Sequence, residues 1–252
     1  MHVRRLEDIR PGFERDSGRD SGRDPVRLFC FPYAGAGAAT YRHWPTVLEG
    51  RFDVRPVELP GRGRRLREMP VDDLDELVIG LADELAPEMD GPHQVFGYGV
   101  GALVAFELVR LRRRRDLPLP DRLAVGASAA PARRRNPRQL HRLPDRELAE
   151  QVKGWGGLPA GVEADHQLLR LAIPALRSDL QLAETYHYRI EKPLACPVTA
   201  YAGARDPIVT PDDVAGWEAE TTGRFSLRIL PGNHLFLRQS TGSLLASLVS
   251  GA

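Results

Sequence analysis

The chain has 252 residues, 42% hydrophobic and 27% charged, which suits one α/β-sized domain with a substantial core. A formal net charge of +1 gives no global field for nucleic acid or an anionic membrane surface, so neither is expected as a partner. Two cysteines, no apolar run near the ~20 residues of a spanning helix and no signal-peptide core lead us to expect a soluble cytoplasmic protein.

Residues 1–25 read as a flexible tail. Asp16-Ser17-Gly18-Arg19 recurs as Asp20-Ser21-Gly22-Arg23, and a segment with so little apolar content cannot offset its ordering entropy. One domain is expected over residues 26–252. Val26 to Phe31 reads as a buried strand and runs into Pro32-Tyr33-Ala34-Gly35-Ala36-Gly37-Ala38, a small-residue loop that exposes backbone N–H groups. Tyr41, Trp44, Val47 and Leu48 are spaced as the core face of a helix. A strand over Phe52 to Leu59 and a turn over Pro60 to Arg65 follow. Val71 to Met89 is predicted helical, with Leu74, Leu77, Val78, Leu81, Leu85 and Ala86 on one face.

Next, the short apolar run Val95-Phe96 meets the turn Gly97-Tyr98-Gly99-Val100-Gly101, and an Ala/Leu/Val-rich helix follows. That helix ends in Arg112 to Arg115, for which cations favourably placed near a helix C-terminus are preferred to an acidic docking partner. Further strands are expected at Leu123 to Ala127, Val198 to Ala202 and Phe225 to Leu230. Strands alternating with helices argue for a mostly parallel sheet covered on both faces. One block breaks the alternation. Residues from about 136 to 188 are helical without a strand, as Asp145 to Lys153 and Ala164 to Tyr186, with interruptions at Gly154-Trp155-Gly156-Gly157 and Pro174. The block reads as a lid over the active edge.

Two loops beyond late strands carry the remaining chemistry. Asp206 follows Val198–Ala202, and His234 follows Phe225–Leu230. A carboxylate in that place holds an imidazole in one tautomer, and the imidazole accepts a proton from whatever attacks a substrate. The backbone N–H groups of Val100 and Ala34 are the two candidate donors to a developing oxyanion.

The strand–turn–helix around Gly99 resembles the nucleophile elbow of an α/β-hydrolase, normally Gly-x-Ser-x-Gly, and the order elbow, Asp206, His234 is the order of that fold's triad. More specifically the sequence resembles type II thioesterases, the stand-alone α/β-hydrolases that serve polyketide synthases and nonribosomal peptide synthetases. The resemblance rests on Leu28-Phe29-Cys30-Phe31-Pro32-Tyr33-Ala34-Gly35, Glu58-Leu59-Pro60-Gly61-Arg62-Gly63-Arg64 and Ala105-Phe106-Glu107-Leu108. It continues through Leu176-Arg177-Ser178-Asp179, Glu184-Thr185-Tyr186, Cys196-Pro197-Val198-Thr199-Ala200 and the Asp206 and His234 loops, and covers the chain from about Val26 onward. It implies an α/β-hydrolase fold with a helical lid. The implied substrates are acyl groups on the phosphopantetheine arm of an acyl or peptidyl carrier protein, removed by hydrolysis; no cofactor or metal is expected.

The departures lie at the centre of the site. The family elbow normally reads Gly-His-Ser-Met-Gly, and a histidine commonly stands at the position of Tyr33. Because Tyr98 and Val100 differ together with Gly99, divergence of the whole turn is expected rather than one inactivating replacement. Glycine suits a turn that demands φ > 0, a strain of ~1–3 kcal/mol for other residues.

Four readings of the missing hydroxyl are open. His234–Asp206 acts as a general base on water or a substrate group, giving release, cyclisation, dehydration or isomerisation; this is the reading we adopt. Another residue attacks, with Ser128 ahead of Cys30, and Tyr98 or Tyr33 assists. The protein binds carrier proteins without chemistry, through Arg133, Arg134, Arg135, Arg138 and Arg142, or is an inactivated thioesterase. Finally, Gly97-x-Gly99-x-x-Ala102 binds a dinucleotide; this we reject, because no acidic residue ends the next strand.

Overall fold

The computed structural model describes residues 25–134, 138–155 and 166–250. The expected tail up to residue 24, Arg135 and Gly156-Gly157 lie outside the described residues. Six strands form one parallel sheet: β1 (Val26–Phe31), β2 (Phe52–Pro56), β3 (His93–Tyr98), β4 (Arg122–Gly126), β5 (Val198–Gly203) and β6 (Phe225–Leu230), in the order β2-β1-β3-β4-β5-β6. β3 and β5 are buried along their whole length, as strands covered on both faces must be.

Alternate strand residues serve different layers. Phe29, Phe31, Val95, Val125 and Ala200 pack with α2 (Leu74–Leu85) and α3 (Val100–Arg114). Leu28, Cys30, Phe96, Ala124 and Tyr201 pack with Tyr41, Trp44, Leu48 and the last helix, Thr241–Ser250. Between β1 and β3 the chain switches the direction in which it adds strands. Loops at the C-terminal ends of strands on the two sides of such a switch diverge and leave a crevice. No helix among the described residues is long and apolar enough to cross a membrane.

Several boundaries differ from those expected. The first helical segment is a single α-turn, α1 (Trp44–Val47), after a 3₁₀ turn at Ala38–Tyr41, and Val47 faces solvent while Tyr41, Trp44 and Leu48 are buried. β2 ends at Pro56, since the ladder's last bond is Val57 N–H to the Cys30 carbonyl. α2 begins only at Leu74, because the Asp73 carboxylate caps it by accepting the Glu76 N–H at 2.9 Å, and it gives way to a 3₁₀ turn at Pro87. Arg112 to Arg115 do not form a free cationic end. Arg112 is fully buried and donates to the Met89 and Pro118 carbonyls, Arg113 and Arg114 pair with Glu191, and Arg115 pairs with Asp83.

The block between β4 and β5 holds α4 (Asp145–Gly154) and α5 (His166–Thr185). Pro174 does not interrupt α5. It lies on the solvent side of the helix, where water can satisfy the carbonyl that loses its N–H partner, while Ile173, Ala175 and Leu176 beside it are buried. Leu140, Leu148, Val152, Ile173 and Leu176 form a separate apolar cluster that ties this block together over the sheet edge.

Candidate active site

β3 passes into α3 through Gly99, which has φ 58° and ψ −121°. The turn is tight because the chain packs against itself: a Cβ on Gly97 would meet the Gly101 carbonyl at 2.3 Å, and one on Gly101 would meet the Phe31 and Pro32 carbonyls at 2.4 Å. Gly99 N–H donates to the Gly126 carbonyl at 2.8 Å, fastening the crest to the end of β4. Val100 is the first residue of α3, so its N–H has no carbonyl one turn earlier within the helix. Because β1 neighbours β3, the loop with Tyr33 and Ala34 lies beside this turn.

β5 and β6 are adjacent and parallel, so the loops beyond them run side by side, and this brings Asp206 to His234. The approach is close: a Cβ on Gly203 would meet the Asn233 carbonyl at 2.5 Å. The Asp206 side chain is fully buried, and its Oδ1 accepts the N–H groups of Ile208 and Val209 at 2.8 and 3.1 Å. Its Oδ2 lies 2.8 Å from His234 Nδ1. A carboxylate held this way accepts the hydrogen bond of Nδ1–H and so fixes the tautomer that leaves Nε2 as the basic nitrogen. The imidazole is 19% exposed and lines the cavity.

That cavity, about 510 Å³, also brings together Gly99, Val100, Tyr33, Ala34 and Ser128. Its outer walls come from the inserted block, with Val152, Trp155, Leu176 and Leu180 among them. Turn, loop and imidazole thus meet around one cavity, with the carboxylate behind the imidazole.

Other sequence candidates are placed differently. Tyr98 does not line the cavity. Its hydroxyl donates to the His234 carbonyl at 2.7 Å and accepts the Leu237 N–H at 3.3 Å, and its ring packs edge-on against Phe236. Burial pushes its pKa far up, so it serves as a tie for the His234 loop and not as an acid. Tyr98→Phe is expected to cost about 1–3 kcal/mol of stability in urea unfolding, because two backbone groups lose their partner. Tyr33 makes a second tie. Its hydroxyl accepts from Arg238 on the short helix Phe236–Gln239 just after His234.

Ser128 is buried and lines the cavity, yet its Oγ bonds the Ala129 carbonyl at 3.4 Å and does not hydrogen-bond His234. Cys30 is fully buried inside β1, and burial pushes its thiol up, which makes it a packing residue. Of the arginines expected at the lid, Arg133, Arg138 and Arg142 are exposed and Arg134 is partly buried; Arg133, Arg134 and Arg138 line the cavity.

One pair of residues was matched by sequence without a role. Asp179, 1% exposed on α5, receives two bonds from Arg62, at 2.5 and 2.7 Å, and accepts the Gly35 N–H at 2.7 Å. Arg62 also donates to the Ala36 carbonyl at 3.0 Å. The loop that carries Ala34 is thus clamped from the inserted block. A signal was legible: Asp179 shares a helical stripe with Ala175 and Leu182, and a carboxylate on an apolar stripe needs a buried partner.

A family model described as Thioesterase domain matches residues 26–250. The chain is 34% identical over 215 residues to the gramicidin S biosynthesis protein GrsT of Aneurinibacillus migulanus, covering 85% of this chain and 84% of the relative. Among solved structures it resembles RedJ, a thioesterase from the prodiginine biosynthetic pathway in Streptomyces coelicolor, with a TM-score of 0.86 and 39% identity over 91% of this chain and 94% of that one. It also resembles YbtT, a type II thioesterase from the yersiniabactin NRPS/PKS biosynthetic pathway, with a TM-score of 0.80 and 27% identity over 91% and 93%.

Proposed function

The chain belongs to the thioesterase family, and from that premise we propose a reaction on acyl thioesters that uses no side-chain nucleophile. Gly99 stands where a thioesterase elbow carries its serine, so the crest of the turn meets the cavity without a hydroxyl. Support for this reading comes above all from the 2.8 Å contact between Asp206 and a His234 that lines the same cavity as Gly99. The substrates are acyl groups on the phosphopantetheine arm of a carrier protein, or on coenzyme A, in polyketide or nonribosomal-peptide biosynthesis.

In this mechanism Nε2 of His234 removes a proton from water or from a hydroxyl or amine of the substrate itself. The freed lone pair attacks the thioester carbonyl, whose developing oxyanion receives the N–H groups of Val100 and Ala34. Collapse breaks the C–S bond, and the departing sulfur takes the proton back from the imidazolium. A site lacking one triad member retains ~10³–10⁴-fold catalysis over water. That rate suits an intramolecular nucleophile, whose effective concentration reaches ~10⁵–10⁸ M, better than it suits bulk hydrolysis. Cyclising release is therefore favoured over housekeeping hydrolysis.

His234→Ala is expected to lower the native reaction by about 10²–10⁴-fold, measured as product release from acyl-carrier substrates by mass spectrometry. Full activity in that variant would exclude the mechanism. A second reading is a protein that binds carriers without chemistry, favoured by the absent hydroxyl together with exposed Arg133, Arg138 and Arg142 around the inserted block. An unchanged acyl group in a measurable carrier complex would select it.

A further inference from the structure

The wall of the cavity is largely apolar, with Ala34, Val152, Leu176, Leu180 and Ile208 exposed to its interior. Exposed Arg133 and Arg138 and the carboxylates Glu184 and Asp213 also border it, and set in the wall, partly buried, is Arg134, just past the 3₁₀ turn Pro131–Arg133. One of its five N–H donors reaches the Ala183 carbonyl, at 2.9 Å. No carboxylate of the described residues lies within ion-pair distance of it. Glu184 is close by but already committed, to the Leu140 and His141 N–H groups at 2.9 and 3.1 Å and to the His141 ring at 2.6 Å.

Elsewhere the chain pairs its sequestered guanidinium groups. Arg62 has Asp179, Arg110 has Glu107 and Arg177 has Asp145. Arg112 meets Asp90 only at 3.9 Å and Arg122 has no ion-pair partner among the described residues, yet each is enclosed and donates to two acceptors. Arg134 differs from all of these, since it faces a cavity with most of its donors unspent. Burial pushes its pKa down, and arginine nevertheless stays charged. A charge in an apolar wall without a counterion is costly, and the cost is recovered when an anion enters.

We propose that Arg134 is a specificity-determining residue that recognises a negative group on the substrate: a carboxylate on the acyl chain or the phosphate of the pantetheine arm. This rests on the reading of the cavity as an acyl-thioester site. The fork of the guanidinium suits either oxyanion, with two parallel bonds. It excludes a purely apolar acyl chain with no charge near that wall as the preferred ligand.

The test uses the full chain and four uncleavable amide analogues: hexanoyl- and adipoyl-pantetheine, each with and without the phosphate. Dissociation constants are measured by calorimetry for the native protein, Arg134→Gln and, as a control, Arg146→Gln, at an exposed position of α4 outside the cavity. Adipoyl, phosphorylated or both kinds of ligand are expected to bind the native protein about 10- to 100-fold more tightly than neutral hexanoyl-pantetheine. Whichever gains identifies the source of the anion. The gain should vanish in Arg134→Gln, survive in Arg146→Gln and return in part with Arg134→Lys, at melting temperatures close to native. Equal binding of neutral and anionic ligands, or a gain that persists in Arg134→Gln, would overturn the proposal while leaving the acyl site intact. Failure of all four ligands to bind would overturn the acyl site and the proposal together.

Discussion

Gly99→Ser is expected to raise hydrolysis of simple acyl thioesters by ~10³-fold or more. Removing the serine from a working triad costs ~10⁶ in kcat, so even an imperfectly seated hydroxyl recovers a large part of that factor. The partners it needs are in place, because Asp206 already orients His234 at 2.8 Å and the turn already has the elbow's backbone. Two costs oppose the gain. A non-glycine residue at φ 58° stores ~1–3 kcal/mol of strain. Its Cβ would also sit 3.2 Å from the Tyr33 Cβ, so Tyr33 must yield by a few tenths of an ångström. The variant should therefore melt lower while turning over faster, and Gly99→Ala should melt lower without any gain. Steady-state kinetics on acyl-pantetheine thioesters, with Gly99→Ser/His234→Ala as the control, measures this. A folded Gly99→Ser protein with unchanged turnover would show that the imidazole is out of reach of the elbow.

Asp179→Ala is the second large effect, and it acts on stability. Asp179 and Arg62 are almost wholly buried and joined by two hydrogen bonds, so deleting the carboxylate leaves a guanidinium in the interior with only carbonyl partners. Breaking a buried pair from one side costs ~3–5 kcal/mol. The Gly35 N–H loses its acceptor as well. We expect the loss in denaturant unfolding, together with faster amide exchange at Gly35 in the loop that carries Ala34. Asp179→Asn, which keeps an acceptor, should lose less. Replacing both partners, as Arg62→Met with Asp179→Leu, should recover part of the stability, because no charge is then stranded. A cost below ~1 kcal/mol for Asp179→Ala would show that the clamp does not hold the loop. The loop's role at the reactive end makes the distinction from a merely structural pair measurable, since loosened Ala34 should lower kcat more than it raises KM.

The parts of this protein that its sequence alone determined are those written in neighbouring residues. Apolar runs such as Leu28–Phe31 and Val198–Ala202 specify strands buried on both faces, and the glycines at 97, 99 and 101 specify a turn that only small residues can make. Asp206 and His234 were legible as a pair because each follows a strand directly, and parallel neighbouring strands deliver their loops to one edge. Tertiary structure alone decided what depends on segments that meet from afar. Pro174 sits within a continuous helix because burial of its neighbours outweighs one lost hydrogen bond. Tyr98 turns from the cavity because the His234 loop offers its hydroxyl two backbone partners. Arg62 finds Asp179 across 117 residues, and Arg134 is drawn partly under cover to the Ala183 carbonyl while Arg133 beside it stays exposed. None of these has a local pattern, because the direction of a polar side chain is set by which partner's hydrogen bonds offset its desolvation, and that partner is known only once the chain has folded.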